Sequence, residues 1–205
     1  QLVTAIHPGF FQPAAIAKWG ATLSRLTEGR WSINVTSGWN LSEFSMYGVD
    51  ALDHDLRYDR SKEFIDVAKG AWSGPKFSYR GKYYTVRDLV LEPRPVGDLE
   101  IFQGGQSAAA IEMACEYSDW MFLNGGSLEK IRSIIERVRA VAAGGPMPKF
   151  AVYGIPLCRN TDEEALQEIQ TMLAAADAEL IAARKKRVSG AQGMWASSDE
   201  LSLLD

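Results

Sequence analysis

The sequence predicts an α/β protein in which a parallel sheet is joined by crossover helices. Three observations lead there. Short β-branched or aromatic runs alternate with longer segments of helical apolar period, turn residues separate them, and 205 residues accommodate about five such strands. A full (β/α)8 barrel takes about 250 residues. Both a doubly wound open sheet and part of a barrel therefore satisfy the rhythm, and periodicity does not choose between them.

Gln1-Leu-Val-Thr-Ala-Ile6 opens as a buried strand. Pro13 suits a first helical position, and Ile16, Trp19, Leu23 and Leu26 recur at helical spacing up to the stop at Gly29. Trp31 to Thr36 is a second strand, broken by Ser37-Gly38-Trp39-Asn40, with a polar loop expected to about Arg57. From Asp59 to Trp72 the helical period returns with Phe64, Ile65 and Ala68 inward, and Gly74-Pro75 ends it. Phe77 to Tyr79 and Tyr83 to Val86, flanking Arg80-Gly81-Lys82, read as a β-hairpin. Pro93-Arg-Pro95 is a stiff connector into Glu100 to Gln103, the third core strand, and Gly104-Gly-Gln-Ser107 opens an Ala-rich helix. Asp119 to Leu123 is the fourth strand; Leu128 to Ala143 is a helix with the stripe Ile131, Ile134, Ile135 and Val138. Lys149 to Leu157 is the fifth strand, and Thr161-Asp-Glu-Glu164 caps the last long helix.

Composition narrows the function classes. With 46% apolar and 23% charged residues the chain is an ordinary globular one. Its net charge of -4 leaves no basic face for a nucleic-acid backbone. No run approaches the roughly 18 apolar residues that cross a bilayer, and the N-terminus lacks a signal-peptide pattern. Cys115 and Cys158 stand far apart, which indicates neither a disulfide framework nor a zinc site, and a cytoplasmic setting is expected. Two histidines, His7 and His54, argue against a His-rich metal centre. The chain opens on Gln1 directly in a strand and stops at Leu201-Ser-Leu-Leu-Asp205, so a fragment of a longer protein is expected.

Three segments carry chemistry. In Ile101-Phe-Gln-Gly-Gly-Gln-Ser107 the two glycines let the backbone approach a ligand closely, and the helix start with the Ser107 hydroxyl can hold a phosphate. The same residues equally make a tight turn with Ser107 as a helix cap. Asn34-Val-Thr-Ser-Gly-Trp39 leaves a strand where ligands of parallel α/β folds sit, or simply satisfies the strand exit. His54-Asp-Leu-Arg-Tyr58 places an imidazole, a carboxylate, a guanidinium and a phenol before a helix; alternatively Asp55 or Asp59 caps that helix and Arg57 is a solvated charge.

Taken together, His7-Pro-Gly-Phe10, Asn34 to Trp39 with Glu43, Leu52 to Tyr58, Phe102 to Ser107 and Asp119 to Asn124 resemble, in order and spacing, the bacterial luciferase-like flavin monooxygenases. The resemblance runs from about Leu2 to Ala196 and is strongest to the dimethylsulfone monooxygenase branch, with alkanesulfonate and pyrimidine monooxygenases more distant. It implies a (β/α)8 TIM barrel present as an incomplete barrel of about strands three to seven, one luciferase-like domain over residues 1–205. It also implies reduced FMN as cofactor, with Asn34, Glu43, Arg57, Tyr58, Gly105, Gln106 and Ser107 as its binding residues and Ser107 at the phosphate. His54 resembles a residue beside the flavin and is the expected proton carrier. The implied activity is FMNH2-dependent oxygenation by O2 through a flavin peroxide. A separate NAD(P)H:flavin reductase is the expected partner, and the full-length protein is expected to be a homo-oligomer. F420-dependent hydride transfer and a non-catalytic flavin-binding fragment stay open as alternatives.

Trp39 and Tyr153 are the expected substrate-binding residues, and Phe10, Phe11, Trp39 and Phe44 can form a dry wall. The sulfonate branch carries an Arg-x-His pair where this chain has Tyr153 and Ile155. A phenol donates to a neutral S=O oxygen but does not balance a full negative charge. A small uncharged organosulfur compound, dimethyl sulfone, is therefore the expected substrate, ahead of an alkanesulfonate.

Overall fold

The computed structural model describes residues 1–38, 40–154 and 156–189. In chain order it contains β1 (Leu2–Ile6), α1 (Pro13–Leu26), β2 (Trp31–Val35), α2 (Leu41–Met46) and α3 (His54–Ser73). The hairpin strands β3 (Phe77–Arg80) and β4 (Thr85–Leu89) follow, then β5 (Ile101–Gly104), α4 (Ala108–Tyr117), β6 (Trp120–Leu123) and α5 (Leu128–Ala142). β7 (Lys149–Val152), α6 (Asp162–Ala174) and α7 (Ala178–Ser189) complete the described chain.

The main sheet is wholly parallel, with strand order β1-β2-β5-β6-β7. Each strand adds on the same side as its predecessor. Right-handed crossovers then put the connecting helices on one face, and the order never reverses as that of a doubly wound sheet does. The strands form an arc of a (β/α) barrel, which settles the choice that periodicity leaves open.

The two faces of the arc differ in kind. On the helix side Trp31, Ile33, Val35, Ile101, Met121 and Leu123 are buried against α1, α3, α4 and α5. Gly20 brings α1 onto the Trp31 indole, where a Cβ would stand 2.5 Å from the ring. On the opposite face Phe102 stacks on Trp120 (5.5 Å, 4°) and on Phe122 (5.2 Å, 28°). At the amino end of that face the Glu100 carboxylate accepts from Gln1 Nε2 (2.8 Å), Trp120 Nε1 (2.9 Å) and Lys149 Nζ (3.2 Å). These donors hold its pKa below the usual carboxylate value.

The hairpin is tied to the barrel at two points. Glu63, on α3, accepts from the backbone N–H groups of Lys82, Tyr83 and Tyr84 at 2.8, 2.9 and 3.2 Å. The Tyr84 hydroxyl donates to the Pro8 carbonyl at 2.9 Å, and burial pushes its pKa up to about 12. The hairpin thus braces the loop that follows β1.

Several expectations need correction. The buried face of α1 is Pro13, Ile16, Ala17, Gly20, Ala21 and Ser24, whereas Trp19 and Leu26 are exposed, because close packing on Trp31 selects small residues. The expected polar loop before Arg57 holds α2, and α3 starts at His54 instead of Asp59. Neither Asp55 nor Asp59 caps α3; Asp53 occupies the cap position without a side-chain bond, so the helix starts with no local cap signal. The fifth core strand ends at Val152 instead of Leu157, and the last long helix is followed by α7. Trp39, Ile155 and the segment 201–205 lie outside the described residues.

Candidate active site

The carboxyl ends of the five parallel strands deliver His7, the Thr36–Gly38 turn, Gly104–Ser107, Asn124 and Tyr153 to one edge of the sheet. In barrels this edge carries the chemistry. The first half of α3 packs beside it and adds His54, Arg57, Tyr58 and Arg60.

One group forms around the start of α4. Ser107 is the cap: its hydroxyl accepts from Ala110 N–H at 3.3 Å, so the capping role read from the sequence is realised. Gly105 has φ +133°, and a Cβ there would stand 2.8 Å from both the Tyr58 hydroxyl and Ala110 Cβ. Tyr58 is 6% exposed. Burial raises its pKa, with contact to the Ser107 hydroxyl and Arg57 opposing, so the phenol stays protonated as a donor. The Gln106 carbonyl accepts from Arg137 Nη2 at 2.9 Å, which fixes the turn from the α5 side.

Beside this turn lies a cleft of about 230 Å³ lined by His54, Tyr58, Lys62, Ala108 and the carboxylates Asp55, Asp59 and Glu112. His54 Nδ1 pairs with Asp55 Oδ1 at 2.6 Å, and the His54 ring lies 5.1 Å from that of Tyr58. Cationic and anionic side chains share the rim, so the helix start, with its inward N–H groups, is what favours an anion here.

A second group surrounds His7. Its ring stacks on Phe10 (4.3 Å, 21°) and meets Phe44 edge-on (5.0 Å, 81°). Phe44, from α2, is 1% exposed. Phe11 points elsewhere and meets Trp19 at 6.2 Å, so Phe10 and Phe44 supply the wall without it. Arg57, expected as a solvated charge on one reading, is 2% exposed and donates to the Leu52 carbonyl at 2.6 Å. Glu43 accepts from Asn40 Nδ2 at 3.0 Å.

The sheet also presents unsatisfied amide atoms, one on β2 between the two groups and one after β6. Asn34 Oδ1 and Asn124 Nδ2 are buried without a hydrogen-bond partner among the described residues. A buried polar atom left so is costly by about 1 to 3 kcal/mol, which a ligand would relieve. Tyr153 follows β7 and is 57% exposed, apart from both groups. Among the described residues no cluster of three or more His, Cys, Asp or Glu side chains could hold a metal ion, and no helix is long and apolar enough to cross a membrane.

The family model described as luciferase-like monooxygenase matches residues 1–202. The chain belongs to this family. It is 41% identical, over 97% of its length, to an FMNH2-dependent dimethylsulfone monooxygenase of Pseudomonas fluorescens (strain Pf0-1), and spans 57% of that relative. The crystal structure of DmoA from Hyphomicrobium sulfonivorans superposes with a TM-score of 0.76 at 26% identity, covering 96% of this chain and 47% of that one. A long-chain alkane monooxygenase, LadA, gives a TM-score of 0.82 at 22% identity over 92% of this chain and 50% of its own, a likeness of fold. The barrel arc is therefore that of the luciferase-like (β/α)8 family.

Of the residues expected from the sequence, the structure brings His54, Tyr58, Gly105, Gln106 and Ser107 together around the start of α4. Asn34 lies inside the sheet edge, Arg57 is beneath the His7 group and Tyr153 stands off. His7, Arg60 and Asn124 are absent from the expected set. Strand alternation could have found two of them, since His7 continues Val3 and Ala5, and Asn124 continues Trp120 and Phe122. Arg60 follows Arg57 by one helical turn.

Proposed function

We propose that the chain is the flavin-binding part, strands three to seven, of an FMNH2-dependent monooxygenase that oxygenates a small uncharged organosulfur compound, with dimethyl sulfone as its substrate. The carrying observation is the 41% identity over 97% of the chain to the Pseudomonas fluorescens enzyme. The site's chemistry fits reduced FMN. Gly105 leaves a cradle that a Cβ would fill, α4 opens beside it, and Asn34 Oδ1 has no hydrogen-bond partner among the described residues.

In this reading Ser107, with the backbone of Gly105 and Gln106, holds the phosphate, while Asn34, Glu43, Arg57 and Tyr58 orient the cofactor. Reduced FMN supplies the electrons that let one atom of O2 enter the substrate. Phe10 and Phe44, with Trp39, exclude water from that reaction. His54, held by Asp55, carries a proton at the cleft rim. Tyr153, which stands off from both groups at the exposed end of β7, contacts the substrate S=O oxygen only if the bound substrate extends to that end of the sheet. The reading makes a reductase the source of FMNH2, and sets the protein in the cytoplasm as a homo-oligomer when full length.

Two results test it. In the full-length enzyme Ser107→Ala removes a charge-assisted hydrogen bond, and FMN affinity measured by fluorescence titration is expected to fall about tenfold to a hundredfold; an unchanged affinity takes Ser107 out of the site. With one reductase supplying flavin, kcat/KM for dimethyl sulfone is expected to exceed that for methanesulfonate. The reverse ranking overturns the substrate assignment.

A further inference from the structure

We infer that His7 is a substrate-binding residue, a neutral imidazole whose Nε2–H donates to an oxygen of the uncharged substrate at the carboxyl edge of the sheet. The inference deepens the proposed function and rests on it for the substrate class.

Placement comes first. Thr4 and Ile6 turn to the helix side, where Thr4 Oγ1 accepts from Trp31 Nε1 at 2.9 Å and Ile6 joins the core. Val3, Ala5 and His7 alternate onto the opposite face, and His7 is the first residue beyond β1. Its imidazole therefore belongs to the same side of the sheet as Asn34, which pairs with Ala5 on the neighbouring strand.

The tautomer follows from one hydrogen bond. Gly9 N–H donates to Nδ1 at 3.2 Å, so Nδ1 is the acceptor and the proton sits on Nε2. Among the described residues Nε2 has no acceptor of its own. Gly38, at φ +94°, comes up against it without a side chain: a Cβ there would lie 2.3 Å from Nε2. Phe10 and Phe44 fix the ring plane, so the donor is aimed without a further rotamer to freeze.

Charge decides the protonation state. Burial, then Arg60 and Arg57, disfavour an imidazolium and bring the pKa to about 4. No carboxylate counters them. At neutral pH the ring is a donor without charge, which suits a sulfone oxygen, and it is too weak a base to take the proton-transfer role. Burial and the adjacent guanidiniums keep the imidazole neutral, and the proton-carrier role of the proposed function stays with His54 at the cleft rim.

Two variants of the full-length enzyme separate binding from folding and from cofactor affinity. His7→Phe preserves the ring stack and deletes the donor; His7→Gln retains a neutral N–H donor. For His7→Phe, KM for dimethyl sulfone is expected to rise about tenfold, with kcat changed much less and FMN affinity within twofold of wild type. His7→Gln is expected to recover most of the loss. An unchanged KM in His7→Phe, or a parallel fall in FMN affinity, overturns the inference. The second readout is 15N NMR of the imidazole in wild-type protein, expected to report the Nε2–H tautomer at pH 7 and an Nε2 shift on adding dimethyl sulfone. No shift overturns the role of His7 whatever the turnover assay gives, whereas an intact shift without turnover by wild type overturns only the activity.

Discussion

Gly105→Ala is expected to lose about 2 to 6 kcal/mol of folding stability and most FMN affinity together. Two independent terms make the figure. A φ of +133° is strained for any residue with a Cβ, by about 1 to 3 kcal/mol. The added methyl would also overlap the Tyr58 hydroxyl and Ala110 Cβ, each 2.8 Å away, and overpacking of this kind costs about 1 to 3 kcal/mol. Neither neighbour is the free end of a long chain: Ala110 lies in the first turn of α4, and Tyr58 is buried on α3. The turn must therefore move, and the helix start moves with it. Urea unfolding gives the stability and flavin fluorescence the affinity; a change below about 0.5 kcal/mol would show that the turn relaxes freely.

Acid is expected to destabilise the fold through His7 before carboxylate protonation dominates. The imidazole has a pKa of 6.5 when unfolded and about 4 when folded. Between those values the unfolded chain binds a proton that the folded chain does not, so stability falls as pH falls from 6.5 and the contribution is exhausted below about 4. At 1.36 kcal/mol per pH unit the loss is about 3 kcal/mol at most. His7→Phe removes the term, so the variant's unfolding free energy should depend less steeply on pH over this window. Parallel curves for wild type and variant would show that His7 titrates normally in the folded protein.

Local signals were legible wherever a residue acts on its sequence neighbours. Ser107 reads as a cap and is one, and Thr161 likewise accepts from Glu164 N–H at 3.2 Å. The stripe of α5 buries Ile134 and Val138 as its spacing implies. Where packing is non-local the reading fails or stays open. The size of Trp19 and Leu26 suggests the inner face of α1, but the Trp31 indole from the next strand takes that space and admits Gly20. The choice between barrel and open sheet depends on strand order, which no window of sequence contains. His7 stands in a motif of the sequence, yet its charge state is set by its burial and then by Arg60 and Arg57 on α3. The start of α3 escapes because Asp53 makes no side-chain cap bond.

The division of the sheet into a helix-side core and an aromatic opposite face also separates its indoles. Trp31 and Trp72 meet edge-on in the core at 6.4 Å and 87°, while Trp120 lies parallel to Phe102 with the Lys149 ammonium 4.9 Å from its ring. Intrinsic fluorescence from the first pair reports loosening of the helical layer, and emission from Trp120 reports whatever fills or drains the other side. Of the six indoles in this chain, these two groups are therefore separable optical channels, read as difference spectra of single Trp→Phe replacements on either side of the sheet.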